Sequence, residues 1–489
     1  MSGSFFNEPL FFCIIFQIYL LMHIYSTLSP FSADVYTPVE LYLSLRHHHR
    51  KTCLLESNDY HSRQDSKSFI GCDPIVELTL QDQTLRISTS GNIQTITLDP
   101  SISKAKQVQD ILDDFQFAEE KFNGFFGRMG FEFNLRDETH IQKSSYESDL
   151  PDLHLFIFKY IIVIDHFTSD GYLLENSHSK IEEPTLIHHL FQKNSILELP
   201  FETIGSEQSN FSDTEFSELV KKGIQHCERG DVFQLVLSNE FQQPFFGDDF
   251  QVYRELRRLN PSPYLFYFDF EEYRLFGSSP EAQLLINEGK AEIHPIAGTV
   301  PLTGNQEEDQ RGLEFLLQDE KENAEHTMLV DLARNDLSRD CTSVKVEKYK
   351  EVQHFSHVTH MVSKVTGELK SDNSFEALCH SFPAGTLSGT PKPKALELIQ
   401  KYEPDNRNFY GGAIGLIGAN GNLNTAIVIR SILSRNNVLH FRAGAGIVLD
   451  SNPTSETKEV HHKLRALRTA IDRATKSCQP TNLTESCKK

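Results

Sequence analysis

The chain of 489 residues predicts a mixed α+β fold, with large, mainly antiparallel sheets packed with helices. Three observations carry this. The first half holds strand-like apolar runs (IVELTL, LRIST, LHLFIFKYIIVI), residues 411–441 hold strands separated by turn residues, and the second half holds two amphipathic helical patterns. The composition, 39% hydrophobic and 24% charged, is that of a folded chain long enough for two ordinary domains or one large one. A net charge of −21 argues against nucleic acid as a main partner, because neutralising phosphates needs clustered Lys and Arg. The 8 Cys show no C-x-x-C spacing and read as reduced, scattered thiols of a cytoplasmic protein.

Residues 1–21 form an apolar extension, part of the run PLFFCIIFQIYLLMHIY. No positive charge precedes it, and Gln17 and His23 interrupt a stretch that needs about 20 apolar residues to span a bilayer. Two readings stay open, a membrane or secretory segment and a start at Met22; a membrane is not expected as a partner. Residues 22–205 read as an N-terminal domain, 206–474 as a second domain and 475–489 as a polar tail, with the polar passage GSEQSNFSDTE near the boundary. RHHHR (46–50) reads as a solvated run. In DVFQLVLS, Phe233, Leu235 and Leu237 share one strand face and Gln234 the other. GGAIGLIG, LNTAIVIRSILS and VLHF predict a three-stranded meander with Arg430 in its middle strand, leading into AGAGIV.

LEFLLQDEKENAEHTMLVDLA predicts one helix with Leu313, Leu317, Ala324, Met328 and Leu332 as its buried stripe. Glu325 falls on or beside that stripe, with Glu322 one turn earlier. SETKEVHHKLRALRTAI predicts a second helix burying Val460, Leu464, Leu467 and Ile471, with Glu456 and Glu459 on one side. Inward carboxylates are costly unless compensated. Four acids without evident Lys partners suggest a hard divalent ion, and Mg²⁺ suits oxygen donors. E-x-x-E pairs also occur on solvated faces, so context decides, and the context is anion recognition. Gly444 and Gly446 let backbone N–H groups approach a carboxylate, Arg430 offers a bidentate fork, Tyr410 adds a hydroxyl, and Thr386 lies in the small-residue loop PAGTLSGTPK. Together they suggest a small ligand with more than one carboxylate.

PIAGT (295–299), KENAEHTMLVDLARNDL (321–337), PAGTLSGTPK (383–392), YGGAIG (410–415), IRS (429–431) and AGAGIVLDS (443–451) resemble the chorismate-binding enzymes, in order, between about Glu215 and Ile471. The resemblance implies chorismate as substrate, its ring carboxylate on Mg²⁺ held by Glu322, Glu325, Glu456 and Glu459. Its enolpyruvyl carboxylate would lie on Arg430, Tyr410 and the Ala443–Gly446 segment, Ala445 included, with Thr386 orienting the ring. Glu281 in GSSPE resembles the family's general acid, and His360 in HVTHMVS the histidine of the pyruvate-releasing step. Water-adding members carry a Lys base where this chain has Gln234, and aminodeoxychorismate synthases a nucleophilic Lys where it has Ala297. Both departures point to direct attack by ammonia, as in the anthranilate synthases. Aminodeoxychorismate synthesis and a catalytically silent tryptophan-sensing paralogue are the alternatives. CLLES (53–57) and NPSPYLF (260–266) resemble the tryptophan feedback site of the anthranilate synthases, implying Glu56, Ser57, Lys67, Pro263, Tyr264 and Leu265 as its lining. Nothing resembles a glutaminase, so a separate glutamine amidotransferase subunit is implied.

Overall fold

The computed structural model describes residues 22–57, 66–134, 150–185, 199–301, 305–354 and 358–477. The apolar extension lies outside them, as does the tail beyond residue 477; the last helix, Pro453–Ser477, takes up the tail's first residues. No helix among the described residues is long and apolar enough to cross a membrane.

The strands form two arms, joined where Lys67–Gln81 pairs with Leu153–Asp165. The first arm runs from Lys67–Gln81 through Thr52–Ser57, Tyr264–Asp269, Arg274–Ser279, Ser431–Arg435 and Val438–Ile447 to Gln234–Gly247, each antiparallel to the next. The second runs from Leu153–Asp165 through Gly124–Met129, Ala413–Gly418, Leu423–Ile427, Ala282–Asn287 and Lys290–Ile293 to Val358–Leu369, again antiparallel throughout. Met22–Ser32 makes a parallel pairing with Phe115–Phe117.

The inner faces of the arms meet in a phenylalanine-rich cluster holding Phe126, Phe156, Phe158, Phe266, Phe268 and Leu275. Leu153–Asp165 is apolar almost throughout because both of its faces are covered. Helices cover the outer faces. Asp213–Glu228, opened by a Ser212/Glu215 capping box, lies over the first arm with Phe250–Leu259 and Pro453–Ser477. Lys104–Asp113, Glu320–Asp340 and Ser374–Ser381 pack over the second. Val460, Leu464, Leu467 and Ile471 are buried, as the helical spacing predicts.

Four expectations need correction. The three-stranded meander is instead two hairpins, Ala413–Gly418 with Leu423–Ile427 and Ser431–Arg435 with Val438–Ile447, in different arms. LNTAIVIRSILS breaks at Arg430, whose φ of 50° turns the chain from one arm to the other. The single helix is also two, Gln306–Gln318 and Glu320–Asp340, because the Asp319 side chain accepts the Glu322 N–H at 2.8 Å and starts a new helix. That break resets the buried stripe to Leu329, Ala333 and Leu337, leaving Leu317 and Ala324 exposed. Phe233 is 72% exposed just before its strand, while Gln234 and Leu235 are both buried because helices and sheet cover both sides. In RHHHR, Arg46 turns inward to Asp248 at 2.7 Å.

Beneath the first arm lies a buried charge network. Glu403 accepts from Arg407 Nε at 2.9 Å and Arg442 Nη1 at 3.0 Å, and Arg442 Nη2 also reaches Asp405 at 2.7 Å. Burial opposes ionisation of Glu403, but Arg407 and Arg442 outweigh it and hold the carboxyl below its usual value. Glu403→Ala strands two buried guanidinium groups and should cost about 3–5 kcal/mol in urea unfolding at pH 7. Because the folded carboxyl is depressed, that contribution is present above the ordinary carboxylate range. The gap between wild type and variant should therefore close as pH falls through the folded value.

Candidate active site

The chain crosses between the arms at residues 280–281 and again at 428–430, and the crossings touch. The Ile427 N–H donates to the Glu281 carbonyl at 3.0 Å, and the Ser278 N–H to the Arg430 carbonyl at 3.1 Å. An acid and a cation therefore sit together where the arms exchange strands. Desolvation raises the Glu281 carboxyl to about 7, against the pull of the Thr386 hydroxyl, which donates to Oε1 at 3.0 Å, and of Lys463 and Arg430. Desolvation lowers Arg430, while Tyr410, Glu459 and Glu281 push it back up.

The strand Val438–Ile447 delivers the AGAG segment beside them, with Gly444 opposite Ser238 and Gly446 opposite Val236. Strand alternation sends Ala443 and Ala445 into the hydrophobic core, so their part in any site is backbone alone. Gly444 and Gly446 face the other way. A Cβ at Gly444 would lie 2.7 Å from the Leu237 carbonyl and 3.2 Å from Tyr410 Oη; one at Gly446 would lie 2.9 Å from Gln234 Nε2 and 4.0 Å from Glu325 Oε1. Gln234 Nε2 donates to Glu325 Oε1 at 3.0 Å, which leaves the buried Gln234 Oε1 without a partner among the described residues.

The Val460–Leu464 stripe rotates the last helix so that Glu456 is buried and Glu459 half-buried. Lys463 Nζ bonds Glu459 at 2.7 Å and the Gly444 carbonyl at 2.8 Å. The expectation that these acids lack a Lys partner is thereby corrected; the i,i+4 spacing was its signal. Glu322 and Glu325 are half-buried on the facing helix, and Glu322 Oε2 lies 3.3 Å from where a Gly298 Cβ would be. His360 Nδ1 bonds the Gly298 carbonyl at 3.0 Å. A carbonyl only accepts, so Nδ1 carries the proton and Nε2 is the basic nitrogen. Desolvation, with Arg430 adding to it, holds the imidazole below its ordinary value and so neutral at pH 7.

Among the described residues no three His, Cys, Asp or Glu side chains converge as a metal cluster. The donor chemistry nonetheless suits a hard divalent ion, since the acids of the two helices, Glu322 and Glu325 on one and Glu456 and Glu459 on the other, are carboxylates, one buried and three half-buried. Lys463 and the Gln234 amide hold two of them, Glu459 and Glu325.

The residues of the second predicted group lie on adjacent strands. Thr52–Ser57 pairs with Tyr264–Asp269, setting Ser57 opposite Tyr264 and Glu56 opposite Leu265, with Pro263 just before. Lys67 opens the strand on the other side and lies 3.6 Å from Asp165. Glu56, expected to face a ligand ammonium, is buried and already bound by Arg257 Nη2 at 2.8 Å and the Tyr253 hydroxyl at 2.7 Å.

A family model described as chorismate binding enzyme matches residues 51–469. The anthranilate synthase component 1 of Bacillus subtilis (strain 168) is 34% identical over 487 residues, covering 92% of this chain and 92% of that one. The crystal structure of anthranilate synthase component I from Streptococcus pneumoniae TIGR4 superposes with a TM-score of 0.69 at 30% identity, covering 89% of this chain and 98% of that one. The menaquinone-specific isochorismate synthase MenF from Escherichia coli superposes with a TM-score of 0.72 at 20% identity, covering 92% and 94%, a likeness of fold alone.

The Glu281–Thr386 pair can be read directly. Infrared difference spectra of the carboxyl stretch should show Glu281 titrating near pH 7, with Thr386→Val moving the midpoint upward because the carboxylate loses its donor. Since the folded carboxyl is raised, it also subtracts stability as pH climbs from the ordinary carboxylate range to about 7, so Glu281→Gln should resist urea better than wild type at pH 8 and equally at pH 4.

Proposed function

The chain belongs to the chorismate-binding enzymes, an enzyme of the chorismate-utilising lyase type, and we propose that it converts chorismate and ammonia to anthranilate, pyruvate and water. One observation supports this reading: Gln234, bonded to Glu325, stands where the family resemblance puts the basic Lys of water-adding members, and an amide cannot serve as a base for water. Ala297 likewise offers no side-chain nucleophile for a covalent adduct.

Glu322, Glu325, Glu456 and Glu459 would hold Mg²⁺, which when bound supplies Lewis-acid polarisation of the ring carboxylate. Arg430, Tyr410 and the backbone at Gly444 and Gly446 would hold the enolpyruvyl carboxylate. Ammonia bonds to the ring carbon beside the ring carboxylate, the double bonds shift, and the C4–oxygen bond breaks. Glu281, protonated up to about pH 7, gives its proton to the departing hydroxyl, which leaves as water. His360 Nε2 then takes the proton from the aminated carbon as the bond from the ring to the ether oxygen breaks; the enolpyruvate leaves with that oxygen and gains a proton at its methylene carbon to become pyruvate, and the ring becomes aromatic.

The relatives' designation as a component 1, and the lack of a glutaminase motif in this sequence, support a glutamine amidotransferase subunit as the source of ammonia. The antiparallel pairing of Glu56–Ser57 with Tyr264–Leu265 supports tryptophan as a feedback ligand there. The cysteines among the described residues are free of disulfides, the buried Cys53 and Cys72 included, which supports a cytoplasmic setting.

Purified chain given chorismate, Mg²⁺ and ammonia should release fluorescent anthranilate; a non-aromatic 4-amino product would refute the assignment. Glu281→Gln should lower kcat by about 10²–10⁴-fold. His360→Met should let an amino-dienyl intermediate accumulate, visible as delayed pyruvate release. The chain contains no Trp, so indole emission on titration reports added tryptophan alone. Saturable binding, weakened by Ser57→Ala together with inhibition, is the expected result.

A further inference from the structure

We infer that Arg407 is a positioning residue that sets the substrate-carboxylate subsite, an inference that rests on the chorismate reading above. Arg407 lies in the loop after the helix Lys392–Tyr402, and its side chain is 1% exposed. Its Nη1 donates to the Leu387 carbonyl at 2.6 Å, its Nη2 to the Val236 carbonyl at 2.8 Å and its Nε to Glu403 at 2.9 Å. The guanidinium also lies 5.7 Å from the centroid of the Tyr410 ring and 4.6 Å from that of Phe131.

These partners are not scattered. Leu387 follows Thr386, which holds Glu281; Val236 pairs with Gly446, two residues beyond Gln234; and Tyr410 stands against Gly444. One cation therefore ties three segments that each carry a group of the site, and among the described residues it makes no hydrogen bond to Arg430, Glu281 or the four helix glutamates. The planar fork is required, since two carbonyls, a carboxylate and two ring faces surround one group; an ammonium cannot meet them together. The backbone that carries the guanidinium is gripped in turn. Buried Glu132 accepts the Arg407 N–H at 2.7 Å and the Asn408 N–H at 3.0 Å, holding Asn408 at a φ of 54°. Glu132 is thus a second handle on the same segment, remote from the side-chain contacts of Arg407.

The test uses the full chain with chorismate, Mg²⁺ and ammonia. Arg407→Lys keeps the charge and loses the fork; it should raise KM for chorismate by about 10–100-fold, the scale of an ångström of misplacement, and leave KM for ammonia unchanged. Tyr410→Phe, costly in the wild type, should add little in the Arg407→Lys background. A merely structural defect reduces the amount of folded enzyme, so a fall in Vmax with both KM values unchanged overturns the assignment. If Arg407→Lys does not fold, Glu132→Gln decides: a raised chorismate KM supports positioning, and an unchanged one overturns it. Should the wild type release no anthranilate, the reaction reading fails on its own. Calorimetric chorismate affinity then tests Arg407, weaker in the variants if it positions and equal if it does not.

Discussion

Two backbone hydrogen bonds, Ile427 N–H to the Glu281 carbonyl and Ser278 N–H to the Arg430 carbonyl, hold the place where each arm of the sheet passes a strand to the other. Neither arm could shift without carrying the acid or the cation with it. The crossing has a local cost: Arg430 adopts a φ of 50°, about 1–2 kcal/mol unfavourable for a residue with a Cβ. The antiparallel ladders on both sides offset it, since Leu423–Ile427 pairs with Ala282–Asn287 and Ser431–Arg435 pairs with Arg274–Ser279. Strain at that residue is consistent with a functional position, because any other φ would aim the guanidinium elsewhere.

Around this crossing, one residue type is held in two opposite states. Glu281 has no full counter-charge in contact, so burial prevails and it keeps its proton to about pH 7. Glu403 is buried more deeply, yet two guanidinium groups touch it and it stays ionised. The difference is arrangement, since Thr386 offers Glu281 a single neutral donor where Arg407 and Arg442 offer Glu403 charged ones. A carboxyl that keeps its proton and a structural anion result from the same type of side chain.

Much of this was legible in the sequence. Alternating runs located the strands Lys67–Gln81 and Thr84–Thr89, a continuous apolar run located Leu153–Asp165, and period-3.6 spacing placed the stripe Val460, Leu464, Leu467 and Ile471. What escaped depended on partners far along the chain. LNTAIVIRSILS contains no Gly or Pro to announce a break, because a crossing between arms, not a tight turn, imposes it. Asp319 is a good N-cap, but an acid inside an acidic helical pattern reads equally as helix interior. Arg407 looks like a loop cation in EPDNRNF, and only its i,i+4 spacing to Glu403 hinted at burial.

The AGAG segment shows how four residues serve two faces at once. Alternation assigns Ala443 and Ala445 to a core where a methyl fits, and Gly444 and Gly446 to a face already filled by the Tyr410 hydroxyl and the Gln234–Glu325 pair. Alanine at 446 would press on Gln234 Nε2 and disturb the bond that orients Glu325. Alanine at 444 would meet the Leu237 carbonyl, a backbone atom that cannot swing aside. The strand's register against Gln234–Gly247 is therefore set from both sides: a one-residue slip would bring methyls against the acids and leave voids in the core.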